Sequence, residues 1–370
     1  MGKTIYFSGL NGLRAIASLA VVVSHTTLAL GLFHLSPFIF GKSADGNPQG
    51  LLLAGFGVTI FFTLSGFLIT YLLQAERDKQ NIDIRKFYVR RILRIWPLYY
   101  LYLLAVLLFM FANNMPINFT SLWFYIFYSA NVPFALGGII NLLAHYWSLG
   151  AEEQFYLFWP WLNKAFSTSI LVYVLVFLAG LLLGTKFLLH LLMPASVIKT
   201  LINATGFHYM MLGGLGAILY KNQSQIFLRL FDNKITQFVC WIVIFLLVTN
   251  NFHVASIIDN EIVSIVALGL IIGQINQKNR LVNLENNVFD FLGKISYGIY
   301  VIHPLVIQIL AFVLNPIALP APYQYVVVYS SILGVTIALA HVSYQYFERY
   351  FLSLKKQFVV IDSASNKHEK

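Results

Sequence analysis

The sequence predicts an all-α fold: a polytopic transmembrane helical bundle of about ten spans with both termini in the cytoplasm. Three observations carry this. Of the 370 residues, 59% are hydrophobic and only 10% charged, where a soluble domain of this length carries about a quarter charged residues. Mean hydropathy is +0.75. Long, nearly uncharged segments recur along the chain, each able to cross ~30 Å of hydrocarbon.

The ten candidate helices lie at 12–33, 51–73, 92–112, 146–166, 170–192, 206–220, 235–250, 257–275, 292–314 and 323–347. The sixth is short and glycine-rich (MMLGGLGAILY), which suits tilt or tight packing against a neighbour. An aromatic stretch at 119–131 is too short to span and is expected at the outer interface. Lysines and arginines set the orientation. With the N-terminus inside, 21 of the 24 fall on the cytoplasmic side, leaving Lys42, Lys186 and Lys199 outside; this is a strong positive-inside bias. The net charge of +10 therefore reports topology and contact with anionic headgroups of the bilayer, and no nucleic-acid partner is expected. The first apolar run does not read as a cleaved signal peptide. The single cysteine, Cys240, lies in an apolar run and reads as a packing residue. No internal repeat is visible, and the charged stretch 355–370 reads as a disordered cytoplasmic tail.

Function must then reside in polar residues inside the bundle. The first helix contains RAIASLAVVVSH, Arg14 to His25. Eleven steps of ~100° close to within about 20° of three full turns, so both residues share one face. They stand about 16 Å apart along the axis. Arg14 belongs at the cytoplasmic boundary and His25 near mid-membrane, where ionisable groups line pathways or sites. A neutral imidazole there can accept a proton.

In the second helix, Gly55, Gly57, Ser65 and Gly66 let backbones approach closely. The third begins RKFYVRRILRIWPLYY; Arg91 and Arg94 are three apart on one face, and with Arg14 they would form a cytoplasmic anion pocket suited to phosphate. Arg85, Lys86 and Arg90 read as ordinary anchoring, and Pro97 is expected to bend the helix. The fourth helix, HYWSLGAEEQFYLFWPW, carries adjacent carboxylates, Glu152 and Glu153, about two turns below the outer surface. They point about 100° apart, so one at most faces a given cavity. In the ninth, Ser296, Tyr297, Tyr300 and His303 form either a hydrogen-bonding seam or a substrate lining. Glu348, closing the tenth, is expected to pair with a cytoplasmic arginine.

Together these segments resemble acyltransferase family 3, integral membrane proteins whose bacterial members O-acylate surface sugars. The likeness runs from GLRAIASLAVVVSH through GFGVTIFFTLSGFLIT, FYVRRILRIWPLYY, YWSLGAEEQFYLFWP and LGKISYGIYVIHPLV to SYQYFERYF, marking 1–354 as the transmembrane acyltransferase domain. The family's basic-residue, ten-residue, histidine motif falls on Arg14 and His25, and its R-x-x-R motif on Arg91 and Arg94. Its tryptophan-serine-leucine and glutamate-glutamate-glutamine-phenylalanine pattern falls on Trp147, Ser148, Leu149, Glu152, Glu153, Gln154 and Phe155. Gly150 and Ala151 stand where relatives often carry serine and valine, a local packing difference.

The resemblance implies a stand-alone member, without the SGNH-type domain of many relatives, in the bacterial cytoplasmic membrane. It implies acyl-CoA as donor substrate, acetyl by default, with its phosphates on Arg14, Arg91 and Arg94. The implied acceptor is a glycan or lipid-linked sugar. His25 would be general base, with Glu153 or Glu152 orienting it or holding the acceptor; Trp147, Ser148, Tyr297, Tyr300 and His303 would line the pocket. Neither a metal nor a permanently bound cofactor is implied. An acyl-histidine intermediate is the mechanistic runner-up. A transporter or flippase of lipid-linked sugar is the alternative function, though the paired half-repeats or broken helices expected of one are not seen.

Overall fold

The computed structural model describes residues 5–39, 41–42, 46, 48–315 and 319–361. A helix stands at each of the ten positions read from the apolar runs. They are α1 (Leu10–Leu28), α2 (Leu52–Lys79), α3 (Ile84–Ala112), α4 (Tyr146–Ala165), α5 (Thr168–Leu192), α6 (Phe207–Lys221), α7 (Lys234–Val248), α8 (Asp259–Asn276), α9 (Ser296–Leu314) and α10 (Ala321–Ser343). No strand is present among the described residues. The aromatic 119–131 stretch forms the short helix Phe119–Ile126 and the start of another, Asn131–Leu136.

By length and apolarity alone, five of the described helical runs can cross a membrane: α2, α3, α5, α9 and the run beginning with α10. Counting Gln225–Phe231 with α7, bent by 50°, as one broken span gives six. The remaining helices miss those criteria for visible reasons. α6 has only 15 residues, and α4 carries Glu152, Glu153 and Lys164.

Several boundaries differ from the sequence reading; α1 ends at Leu28 rather than 33, and α2 runs on to Lys79 rather than 73. α3 starts eight residues early, at Ile84, because the Asp83 side chain accepts from the Lys86 amide at 3.0 Å and caps an arginine-rich, solvent-facing turn. Pro97 lies inside this helix without ending it. The ninth segment is two helices, Asn287–Lys294 and Ser296–Leu314. The tenth continues past Ser343 through a π-helical turn, Tyr344–Glu348, into a terminal helix, Arg349–Lys355, and a 3₁₀ turn, Lys356–Phe358. The expected tail thus begins as helix. Its last residues, 362–370, lie outside the described residues, as do Lys3, Lys367 and Lys370 of the charge count.

The closest helix contact joins α2 to α6. A Cβ on Gly66 would lie 1.9 Å from the Met210 carbonyl oxygen, and one on Gly213 would lie 2.1 Å from the Thr63 carbonyl oxygen. Only glycine permits backbones this near. α8 joins the pair through Thr63 and Ser264, whose hydroxyls are 2.7 Å apart. An ionic cluster ties α5 to α6 and α8: Glu261 accepts from Lys186 at 2.5 Å and stands 3.2 Å from His208. α9 packs against α1 and α10, which brings His303 of the ninth segment against His25.

The α2–α6 contact leaves no room for a methyl group, and overpacking a tight contact costs about 1–3 kcal/mol. Gly66→Ala is therefore expected to lower the thermal unfolding midpoint in detergent by several degrees. Gly180→Ala on α5, where a Cβ meets nothing within 4 Å, should leave it unchanged. Equal midpoints for both variants would contradict this packing.

Candidate active site

A cavity of about 240 Å³ opens among α1, α2, α3, α4 and α9. Four cations line it: Arg14 from α1, Arg91 and Arg94 from one face of α3, and Lys355 from the terminal helix. Glu152 is the single acidic residue in its wall among the described residues. None of the four cations has a carboxylate within 4 Å there; the ion pairs of the described residues involve other cations. The Arg91 guanidinium lies over the rings of Tyr156 (5.6 Å) and Phe87 (5.9 Å), and its Nε is buried with no hydrogen-bond partner. Arg90 differs in kind: it pairs with Glu76 at 3.1 Å and donates to the Phe358 carbonyl, as suits an anchoring residue.

The two adjacent carboxylates diverge. Glu152 faces the cavity and accepts from the Tyr156 hydroxyl. Glu153 turns to α3, where Oε2 accepts from Trp96 Nε1 at 3.4 Å and Oε1 is buried without a partner. Neither hydrogen-bonds His25.

The far wall is hydroxyl-rich. Ser148 Oγ and the Tyr300 hydroxyl are 2.5 Å apart, and Tyr300 also donates to the His145 carbonyl at 3.0 Å. Tyr297 lines the cavity and donates to the Ile95 carbonyl at 2.7 Å. Beyond Tyr300 lie three histidines. His25 Nδ1 is 2.7 Å from His303 Nε2. The His303 ring stands 5.4 Å from that of His145 and 6.1 Å from that of Tyr300. His145 Nε2 donates to the Val301 carbonyl at 3.1 Å, leaving Nδ1 buried and unpartnered. His303 is fully buried, whereas His25 is partly exposed without lining the cavity.

The family model described as "Acyltransferase domain", of the acyltransferase 3 type, matches residues 7–342. The chain belongs to the acyltransferase 3 family. Two relatives from Staphylococcus aureus are informative. A protein of strain COL, whose name proposes an O-acetyltransferase, is 26% identical over 94% of this chain and 58% of its own length. O-acetyltransferase OatA of strain NCTC 8325 is 32% identical over 53% of this chain and 27% of its own length. The chain thus spans well under two thirds of either relative. No solved structure matches. Membership places the chain among the acyltransferases.

For an acyltransferase 3 protein, the structure sorts the sequence-derived residues clearly. Arg14, Arg91, Arg94, Glu152, Ser148, Tyr297 and Tyr300 share one cavity. His25 and His303 form a pair just beyond it. Trp147 does not line the cavity; it stacks on Phe134 (5.2 Å) and meets Phe62 edge-on (6.1 Å). Glu348 makes no ion pair with an arginine and accepts from the Ser343 hydroxyl at 3.0 Å, because the π-helical turn folds the side chain back on its own helix. Two residues were not read from the sequence as part of the site. Lys355 had a signal, seven residues after Glu348 and so on the same helix face; His145 had one in its place directly before the fourth helix.

Proposed function

We propose that this protein is a multi-pass enzyme of a bacterial cytoplasmic membrane, with ten spans and both ends inside. It moves an acyl group, acetyl by default, from cytoplasmic acyl-CoA to a hydroxyl of a sugar-containing acceptor. The observation that carries this reading is the excess of cations, Arg14, Arg91, Arg94 and Lys355, in a cavity with one carboxylate. Buried cations that outnumber the carboxylates beside them are costly unless an anion joins them. Guanidiniums offer phosphate two parallel donors each, which suits the phosphates of coenzyme A.

The donor's acyl end then points along the cavity to Ser148 and Tyr300. The transfer requires that end to pass Tyr300, whose hydroxyl is held by Ser148 and one carbonyl, and so to reach His25. The acceptor comes from the outer side to His25, which is partly exposed. His25 takes the hydroxyl proton as the oxygen attacks the thioester carbon; the carbon–sulfur bond breaks and the proton passes to the leaving thiolate. Glu152, in the cavity wall, holds a polar group of substrate, and Glu153 braces α4 against α3. The names of the relatives agree with an O-acetyl product, and the family with a membrane site.

Acyl transfer from labelled acetyl-CoA in membranes carrying His25→Ala should fall by ~10²–10⁴-fold, the usual worth of a general base; full activity in a folded variant would refute the mechanism. Lys355→Ala removes one charge-assisted contact to phosphate. It should raise KM for acetyl-CoA about tenfold with kcat little changed; a fall in kcat alone would place Lys355 elsewhere in the reaction. Reporter fusions at each end should both read cytoplasmic, and an external signal from either would overturn the ten-span topology.

A further inference from the structure

A histidine base works only if the nitrogen facing the substrate is the one without the hydrogen, and for His25 that choice is made in α9. The sequence there reads YVIHP, Tyr300 to Pro304. Pro304 lies inside the helix, and proline has no amide hydrogen to give the carbonyl four residues earlier. The Tyr300 carbonyl is therefore left without its helical donor, at a depth where unpaired backbone groups are costly.

His303 supplies the missing donor. Its Nδ1 lies 2.8 Å from the Tyr300 carbonyl oxygen and 3.2 Å from that of Ile299. Both partners only accept, so the hydrogen sits on Nδ1, and Nε2 of the neutral ring is left as an acceptor. His25 Nδ1 stands 2.7 Å from this Nε2. The His25 hydrogen must then be on Nδ1, and its Nε2 carries the free lone pair. His145 does not compete: its ring hydrogen is committed to the Val301 carbonyl through Nε2.

We infer that His303 is a positioning residue: the Tyr300 carbonyl freed by Pro304 fixes the tautomer of His303, which fixes that of His25 with Nε2 as the proton acceptor. This rests on the reading of His25 as the base. The hydroxyl proton goes to His25 Nε2 as the new carbon–oxygen bond forms and the thioester bond breaks. The same proton then passes to the thiolate, giving ester and free thiol. Throughout, the Nδ1 hydrogen stays on its bond to His303, which orients the ring and accepts from the imidazolium.

The test uses the full chain in membranes, with labelled acetyl-CoA as donor and incorporation into the glycan fraction as readout. His303→Leu keeps the bulk but cannot accept a hydrogen bond; it should lower kcat by ~100-fold with the acetyl-CoA KM unchanged. His303→Gln offers an amide oxygen to the His25 Nδ1 hydrogen and should recover at least ~10-fold of that loss. Pro304→Ala returns an amide donor to the Tyr300 carbonyl and should shift kcat in the same direction by less. A leucine variant within threefold of wild type, a glutamine variant no better than the leucine one, or a loss confined to KM would overturn the inference.

Nitrogen-15 NMR of the purified wild-type protein provides an independent check, valid even where a variant fails to fold. His25 should show a protonated Nδ1 and a bare Nε2; the reverse assignment sinks the inference. Because this measures the tautomer itself, it separates the present claim from the base reading, which stands or falls on His25→Ala.

Discussion

Positive charge in excess of the acid beside it is the constraint that organises this molecule. Arg14, Arg91, Arg94 and Lys355 meet in one cavity from three separate parts of the chain. The available carboxylates are engaged elsewhere: Glu76 on Arg90, Asp78 on Lys221, Glu261 on Lys186. Glu152 lines the wall, where it accepts from the Tyr156 hydroxyl, and sets one negative charge against four positive ones. A bundle under selection for stability alone would neutralise these groups or replace them with packed apolar residues. The arrangement makes sense when the missing charge arrives with the substrate.

Glycine sets how near the supporting helices come, and so where the cations stand. The α2–α6 contact through Gly66 and Gly213 places α2 as a wall of the cavity through Val58, Phe61, Phe62, Ser65 and Ile69. The same helix carries Thr63 to Ser264 and Thr70 to the indole of the buried Trp159, at 2.7 and 2.9 Å. α4, which holds Ser148 and Glu152, is thereby fixed against the same element. Lys355 reaches the cavity because the last helix does not stop at its predicted end; the π-helical turn at Tyr344–Glu348 lets it continue over α3. Such turns are often found at functional sites.

What could be read from the sequence follows from what is local. Apolar runs report helices directly, because a helix satisfies its own backbone within the run, and a helix stands at every one of the ten positions. The shared face of Arg91 and Arg94 follows from a three-residue spacing and survives in the structure. Choosing between Glu152 and Glu153 needed the position of α3, whose Trp96 claims Glu153. Trp147 matched a family pattern but packs between Phe62 and Phe134, since a motif fixes order along the chain and not which way a ring turns. Lys355 was counted as a topological charge, and only the extended last helix reveals where it goes. Glu348 was expected to find an arginine; Ser343, one turn away, is a nearer partner.

The histidines carry the same lesson to finer detail. Composition marks His25 as unusual, and its spacing from Arg14 sets its depth. Neither says which nitrogen is bare, a property decided 278 residues later at His303, beside a proline that donates nothing. A chain of hydrogen bonds from a backbone carbonyl through two imidazoles has one consistent set of hydrogen positions, because its first member can only accept. The direction fixed at Tyr300 therefore extends to the open nitrogen of His25. Defining the tautomer by backbone geometry keeps the base ready before either substrate arrives.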